Sequence, residues 1–362
     1  LSVDMSIIIF FVILGLLIVV HEAGHFLAAK KVGVRVEKFS LGFGKHLLIR
    51  KKGDTEYCIS AIPLGGYVKL AGDNLDEFKG KPDEYFSKSP GNRAKIIVCG
   101  PLVNYALGFL CFWLIFFVGY PTLTAKVGEL IDGLGAQEAG IQVGDTITAI
   151  DGKAVTSWDS LQDAIQSKKS NASIKISVAR DNKPLVIDVK IKEKELDDIL
   201  GQKQKVSLIG IKPAEDIITV RHGLGESFLL GIRKTWGLTT LTYRALGRMI
   251  TGQMSIRESV TGPLGIFFIT KQAASHGLIA LLHLVAVLNI SLAIFNLLPF
   301  PVLDGGHIAL LALEKIRGKG ISVKTEQWLA NAGLTVIIMM ALLVTYNDVL
   351  KFGDKIFKWF GK

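Results

Sequence analysis

Cysteine is scarce in this sequence: 362 residues include three, Cys58, Cys99 and Cys111. None falls between residues 120 and 277, so the longest polar stretch carries no disulfide framework. Cys99 and Cys111 would stand about 18 Å apart on one helix, too far to pair. Charge is also thin, at 20% of residues against 49% hydrophobic, with a mean hydropathy of +0.41. That balance excludes an average soluble protein and equally a chain buried wholly in lipid. The net charge of +10 comes without an aromatic-basic module, so no nucleic-acid partner is expected. No inverted repeat relates the apolar segments, which argues against a transporter. Residues 1–6 hold no Lys or Arg, so the first apolar run lacks the basic start of a cleaved signal peptide.

What the chain does have is long apolar runs. Four stand out, at about 5–29, 94–119, 278–298 and 328–346, each long enough to cross a bilayer. The lipid bilayer is therefore an expected partner. The loop between the first two runs, residues 30–95, carries 14 Lys/Arg against 8 acids. The excess of basic residues places that loop in the cytoplasm. The N-terminus, the 120–277 segment and the C-terminus are then extracytoplasmic. The expected fold is a polytopic α-helical membrane protein of about four spans, carrying a β-hairpin and an inserted α+β domain.

Within the basic loop, Leu41-Gly42-Phe43-Gly44 leads into two β-like runs, His46–Arg50 and Thr55–Ile62, with Lys51-Lys52-Gly53-Asp54 as the turn. A third run, Tyr67–Leu70, follows Gly65-Gly66. Spacing alone fits a small solvated sheet; an edge strand offered to an extended substrate is the alternative. Residues 122–214 read as a globular insert, and 215–277 as an amphipathic, interfacial segment. The insert begins with a strand near Ala125–Leu130 and continues with alternating residues from Ile141 to Ile150, closed by Asp151-Gly152. Thr156-x-x-Asp159 has the form of a capping box for a helix to about Gln166, and strands follow near 172–179 and 184–191. Residues 224–250 interleave Phe228, Trp236 and Tyr243 with Arg233, Lys234, Arg244 and Arg248. That pattern suits a helix on a membrane surface or one packed on the insert.

The chemistry is concentrated in His21-Glu22-Ala23-Gly24-His25, inside the first apolar run. On a helix the two imidazoles share one face and can hold zinc, and Glu22 is placed as a general base. Ionisable groups inside a span are costly and point to function. Zinc in a catalytic site takes a third protein ligand. Candidates lie far downstream in Asn296-x-x-Pro299-x-Pro301-x-x-Asp304-Gly305-Gly306-His307, where the prolines break a helix at membrane depth. Asp304 is the oxygen ligand this motif offers, and His307 is its rival.

The stretch Ala139-Gly140-Ile141-x-x-Gly144-Asp145-x-Ile147-x-x-Ile150-Asp151-Gly152 resembles a PDZ domain. Together with H-E-x-x-H in a first span and N-x-x-P-x-P-x-x-D-G in a later one, it makes the whole chain similar to the site-2 protease family. The nearest likeness is to bacterial regulators of sigma-E protease type, in a branch with one PDZ domain where the best-known members carry two. The resemblance implies a zinc metalloprotease of the bacterial inner membrane with its active site near the cytoplasmic side. It implies His21, His25 and Asp304 as zinc ligands and Glu22 as general base. It places Asn296, Pro299 and Pro301 at the substrate cleft, with Asn104 of Gly100-Pro101-x-x-Asn104 as a supporting position. It also makes the Gly42 and Gly44 segment a membrane-associated hairpin that meets substrate. Implied substrates are single-span membrane proteins already cut outside the bilayer, such as anti-sigma factors or remnant signal peptides. A peptide or C-terminal ligand would lie in the PDZ groove. The rival reading is a membrane-anchored PDZ scaffold with a structural metal.

Overall fold

Four helices carry the apolar runs. The computed structural model describes residues 3–168, 172–198, 200–201, 203–319 and 322–360. Helix α1 (Val3–Val32) includes the whole H-E-x-x-H motif and runs past Lys30 and Lys31. Lys30 lies over the Phe26 ring, 4.5 Å from its centre, keeping its stem on apolar surface. The helix stops at Gly33, whose φ of +75° only glycine adopts without strain.

Strands β1 (Val36–Lys52) and β2 (Thr55–Leu70) turn at Gly53-Asp54 and are longer than the separate runs expected. Each bends, so two strands build a sheet four segments wide. Residues 36–41 pair with 66–70 on one side and 56–59 on the other, while residues 46–52 pair with 55–60. Gly42 (φ +91°) and Gly44 (φ +81°) make the bend in β1. A Cβ at Gly42 would press on the Ile62 carbonyl oxygen, 2.7 Å away. His46 is tied into the sheet: its Nδ1 lies 2.9 Å from Ser60 Oγ. A small core of Ala29, Val34, Val36, Leu70 and Ile96 fixes the sheet to α1 and to the next helix.

That helix, α2 (Pro90–Val118), contains Pro101, which removes one backbone donor in mid-span. The insert follows and forms a compact unit of its own, Phe116–Ser227. Strand β3 (Tyr120–Leu123) enters it, followed by β4 (Val127–Leu130), a short α3 (Gly135–Glu138), β5 (Thr146–Ile150) and β6 (Lys153–Ala154). Helix α4 (Trp158–Gln166) is capped by Ser157 with Ser160, not by Thr156 with Asp159 as the sequence pattern suggests. Ser157 has the extended backbone a cap needs and receives the Ser160 N–H. Strands β7 (Ser173–Arg180) and β8 (Lys183–Lys190) join through Asp181-Asn182, both at positive φ. The sheet order is β6-β5-β7-β8. Its core includes Ile147, Ile150, Leu161, Ile174, Ile176 and Val189.

The alternating stretch 141–150 is a strand only from Thr146. Gly144 at φ +94° turns the chain first, although Ile141 is still buried. The pattern also gave no sign of β9 (Lys192–Asp197), β10 (Lys203–Leu208), β11 (Ile211–Pro213) or β12 (Ile217–Val220). β12 pairs with β3, so the chain enters and leaves the insert on adjacent strands.

Helix α5 (Leu224–Ile250) carries the aromatic-basic pattern. From Phe228 onward it packs on α2: Phe228 meets Phe109 and Trp113 edge-on, and Thr239 lies 3.4 Å from Tyr105. The short α6 (Ile256–Ser259) and α7 (Pro263–Ser275) lead to α8 (Leu278–Asn296). Helix α9 (Asp304–Arg317) begins at the acidic residue of the downstream motif, and α10 (Val323–Phe360) follows. Met5–Val32, Pro90–Val118, Leu278–Asn296 and Gln327–Gly353 are long and apolar enough to cross a membrane. Only 6% of the last window is buried inside the protein, so its apolar side chains need lipid to cover them.

Candidate metal centre

The site is assembled where α1, α2 and the start of α9 meet. Helix α1 presents His21 and His25 on one face, and their Nε2 atoms lie 3.2 Å apart. Asp304 Oδ2 lies 3.2 Å from His21 Nε2 and 3.5 Å from His25 Nε2. Among the described residues, these three form the one cluster of His, Cys, Asp and Glu able to hold a metal ion. His307, one turn further along α9, faces the adjoining cavity and is not part of the triangle.

The donor set asks for a cation. His25 Nδ1 lies 3.0 Å from the Ile96 carbonyl oxygen, which can only accept, so that nitrogen carries the hydrogen and Nε2 keeps its lone pair. Asp304 Oδ2 is buried and has no hydrogen-bond donor. Lone pairs therefore face one another in a buried place, which is unfavourable without a positive charge between them. A tetrahedral zinc with bonds of about 2.0–2.1 Å separates its ligand atoms by about 3.4 Å, close to the spacing here. Asp304 also opens α9, where the positive end of the helix dipole favours a carboxylate.

Two glycines make room for this. A Cβ on Gly24 would strike the backbone of Cys99 and Gly100, and one on Gly100 would strike both imidazoles. The helices thus touch backbone to backbone at the level of the site. In the H-E-x-x-H pattern Gly24 is an unspecified position. The available signal was a small residue between the two histidines, matched by a glycine in the neighbouring span.

Glu22 shares a cavity of about 520 Å³ with His25, Asp304, Val68 and Leu70. Val68 of β2 lines the cavity beside it. Val68 belongs to the 66–70 segment, which pairs with β1 along one edge and packs against α1 at Gly66. A Cβ on Gly66 would crowd Ile18 and the Glu22 side chain, so this segment lies tight against the motif.

Asn104 is fully buried, 3.4 Å from His21 Nδ1. Gly42 and Gly44 form the strand bend and are not in the cavity wall. Asn296 ends α8, and Pro299 and Pro301 lie in the connection to α9, outside that wall. Pro301 and Val302 instead pack against Gly333 of α10, and Val302 is held at φ +79°, rare for a β-branched residue.

The arrangement defines a class: metallopeptidases whose metal site is built between apolar helices. The sequence profile of peptidase family M50 matches residues 9–340. The chain belongs to that family. It is 33% identical over 345 residues to a Campylobacter jejuni protein named as a zinc metalloprotease, spanning 93% of this chain and 91% of that one. It is 30% identical over 437 residues to the regulator of sigma-E protease RseP of Escherichia coli, spanning 94% of this chain and 97% of that protein. Among solved structures, the PDZ domain of an SdrC-like protein from Listeria monocytogenes is 29% identical, with a TM-score of 0.21. That likeness covers 26% of this chain and 90% of the domain.

Proposed function

We propose that this protein is an intramembrane zinc metalloprotease, with His21, His25 and Asp304 holding the ion and Glu22 as general base. The observation that carries the reading is the triangle of three candidate ligand atoms 3.2–3.5 Å apart, with Glu22 in the cavity alongside. Zinc bound there supplies a Lewis acid for a peptide carbonyl and lowers the pKa of water. Glu22, in the cavity wall with Val68, takes a proton from the attacking water and returns one to the leaving amine. The free side of segment 66–70 receives the substrate as an added strand, which keeps its backbone extended beside Glu22. A membrane helix must unwind to bind this way, because its carbonyls are otherwise engaged in the helix.

Substrates on this reading are single-span proteins already shortened outside the bilayer, of the anti-sigma factor or remnant signal-peptide kind. The protein sits in the bacterial inner membrane with the insert outside and the 33–89 loop in the cytoplasm. The insert controls access, and a peptide end would lie in the narrow cleft of about 50 Å³ lined by Leu161, Ile165, Ser207 and Ile209. The test is cleavage of a single-span substrate in detergent by wild type and Glu22→Gln, with zinc measured in both. Equal zinc with cleavage by wild type alone is the expected result. Normal cleavage by Glu22→Gln would refute the mechanism.

A further inference from the structure

We infer that Asn104 is a positioning residue: it accepts the Nδ1 hydrogen of His21 and so leaves Nε2 free for the metal. The inference rests on the reading of His21 as a ligand. An imidazole that binds metal through Nε2 carries its hydrogen on Nδ1, and that hydrogen needs an acceptor when buried. For His25 the acceptor is the Ile96 carbonyl, at 3.0 Å. For His21 the group in range is the Asn104 amide, whose nitrogen lies 3.4 Å from Nδ1. Asn104 is 0% exposed, and its Oδ1 is buried with no hydrogen-bond partner.

Two nitrogens facing one another beside an orphaned oxygen is the pattern of an amide drawn the wrong way round, since its N and O are nearly interchangeable in shape. Turned by 180°, the amide sets Oδ1 against the His21 Nδ1 hydrogen, which satisfies both atoms at once. The helix explains why one element serves both ligands. Ile96, Gly100 and Asn104 are spaced four residues apart and lie on one face of α2. That face offers an acceptor for His25, a gap into which both rings fit, and an acceptor for His21. Asn104 therefore acts on the metal through His21 and has no contact with substrate.

The experiment measures zinc affinity of the full-length protein in detergent by competition with a chelator, for wild type, Asn104→Leu and Asn104→Asp. Leucine keeps the volume and removes the acceptor; aspartate keeps an acceptor. Asn104→Leu is expected to bind zinc 10–100-fold more weakly. Asn104→Asp is expected to bind at least as tightly as wild type. In cobalt-loaded protein, the visible spectrum of the leucine variant should shift and that of the aspartate variant should not. Wild-type affinity in Asn104→Leu overturns the inference, and so does an equal loss in both variants. Asn104→Ala, which leaves space, stands in if the leucine variant does not fold. His21→Ala separates the two readings: if it binds zinc normally, the assignment of His21 fails, whatever Asn104 does.

Discussion

At the scale of single residues, the site is built as much from missing side chains as from present ones. Gly100 is the sharpest case, since any Cβ there collides with both imidazoles. Gly100→Ala is expected to weaken zinc binding at least tenfold, read by chelator competition, while Gly91→Ala, with open space around it, leaves affinity unchanged. In the insert, Asp145 is 1% exposed and receives two bonds from Arg180, at 2.7 and 2.8 Å. The Arg180 guanidinium holds the Asp145 carboxyl below the ordinary carboxylate range. A depressed folded-state pKa gives stability that is present above the unfolded value, near 3.9, and is lost as pH falls through the lower folded value. Hydrogen exchange of β5 and β7 in the intact protein should therefore quicken below about pH 4. In Arg180→Met that acid dependence should flatten.

At the scale of elements, polar clamps decide how the helices are held. Arg93, at the start of α2, forms an ion pair with Glu314 in the last turn of α9, and stacks over Tyr85 and Phe86. The far end of the helix that opens with Asp304 is thus tied to the helix that supports both histidines. Removing one partner strands a buried charge, at a cost of about 3–5 kcal/mol. Glu314→Gln and Arg93→Met should each lower the melting temperature, and the double variant should lose less than the sum of the two. Asp348 of α10 makes a second clamp: its carboxylate accepts the N–H groups of Gly262 and Gly265 at the start of α7, at 3.1 and 2.9 Å. It is a helix cap supplied from another helix, and Asp348→Ala should cost about 1–2 kcal/mol in thermal or denaturant unfolding.

At the scale of the whole molecule, orientation follows from charge and length. The proposed topology puts the basic loop on the cytoplasmic side and the insert on the other. Cysteines introduced at exposed positions check this. Lys153→Cys in the insert should react with a membrane-impermeant maleimide in cells with an opened outer barrier, and Lys79→Cys in the loop only after lysis. Labelling of both in intact spheroplasts would reverse or abolish the assigned topology. The four spans, the metal motif and the insert with its β5, α4, β7 and β8 were legible in the sequence because each is a local pattern: an apolar length, an i, i+4 pair, an alternation closed by a turn. The bent sheet and the β3–β12 closure were not. Their partners lie far apart in the chain, and short strands without alternation leave no periodic trace.

The same distinction separates what the sequence determined alone from what tertiary structure decided. Composition and spacing determined that the chain is membrane-embedded, that two histidines share a helix face, and that a third ligand must come from elsewhere. They left Asp304 and His307 both open as the third ligand, because either fits a motif read along one dimension. Only the crossing of α1 and α2 at Gly24 and Gly100, with the start of α9 brought to the same level, puts Asp304 in the triangle and leaves His307 one turn away. Asn104 shows the same limit: in the sequence it is a polar residue in a span. Its part depends on a ring 83 positions away along the chain, and a hydrogen bond at that separation has no local signal.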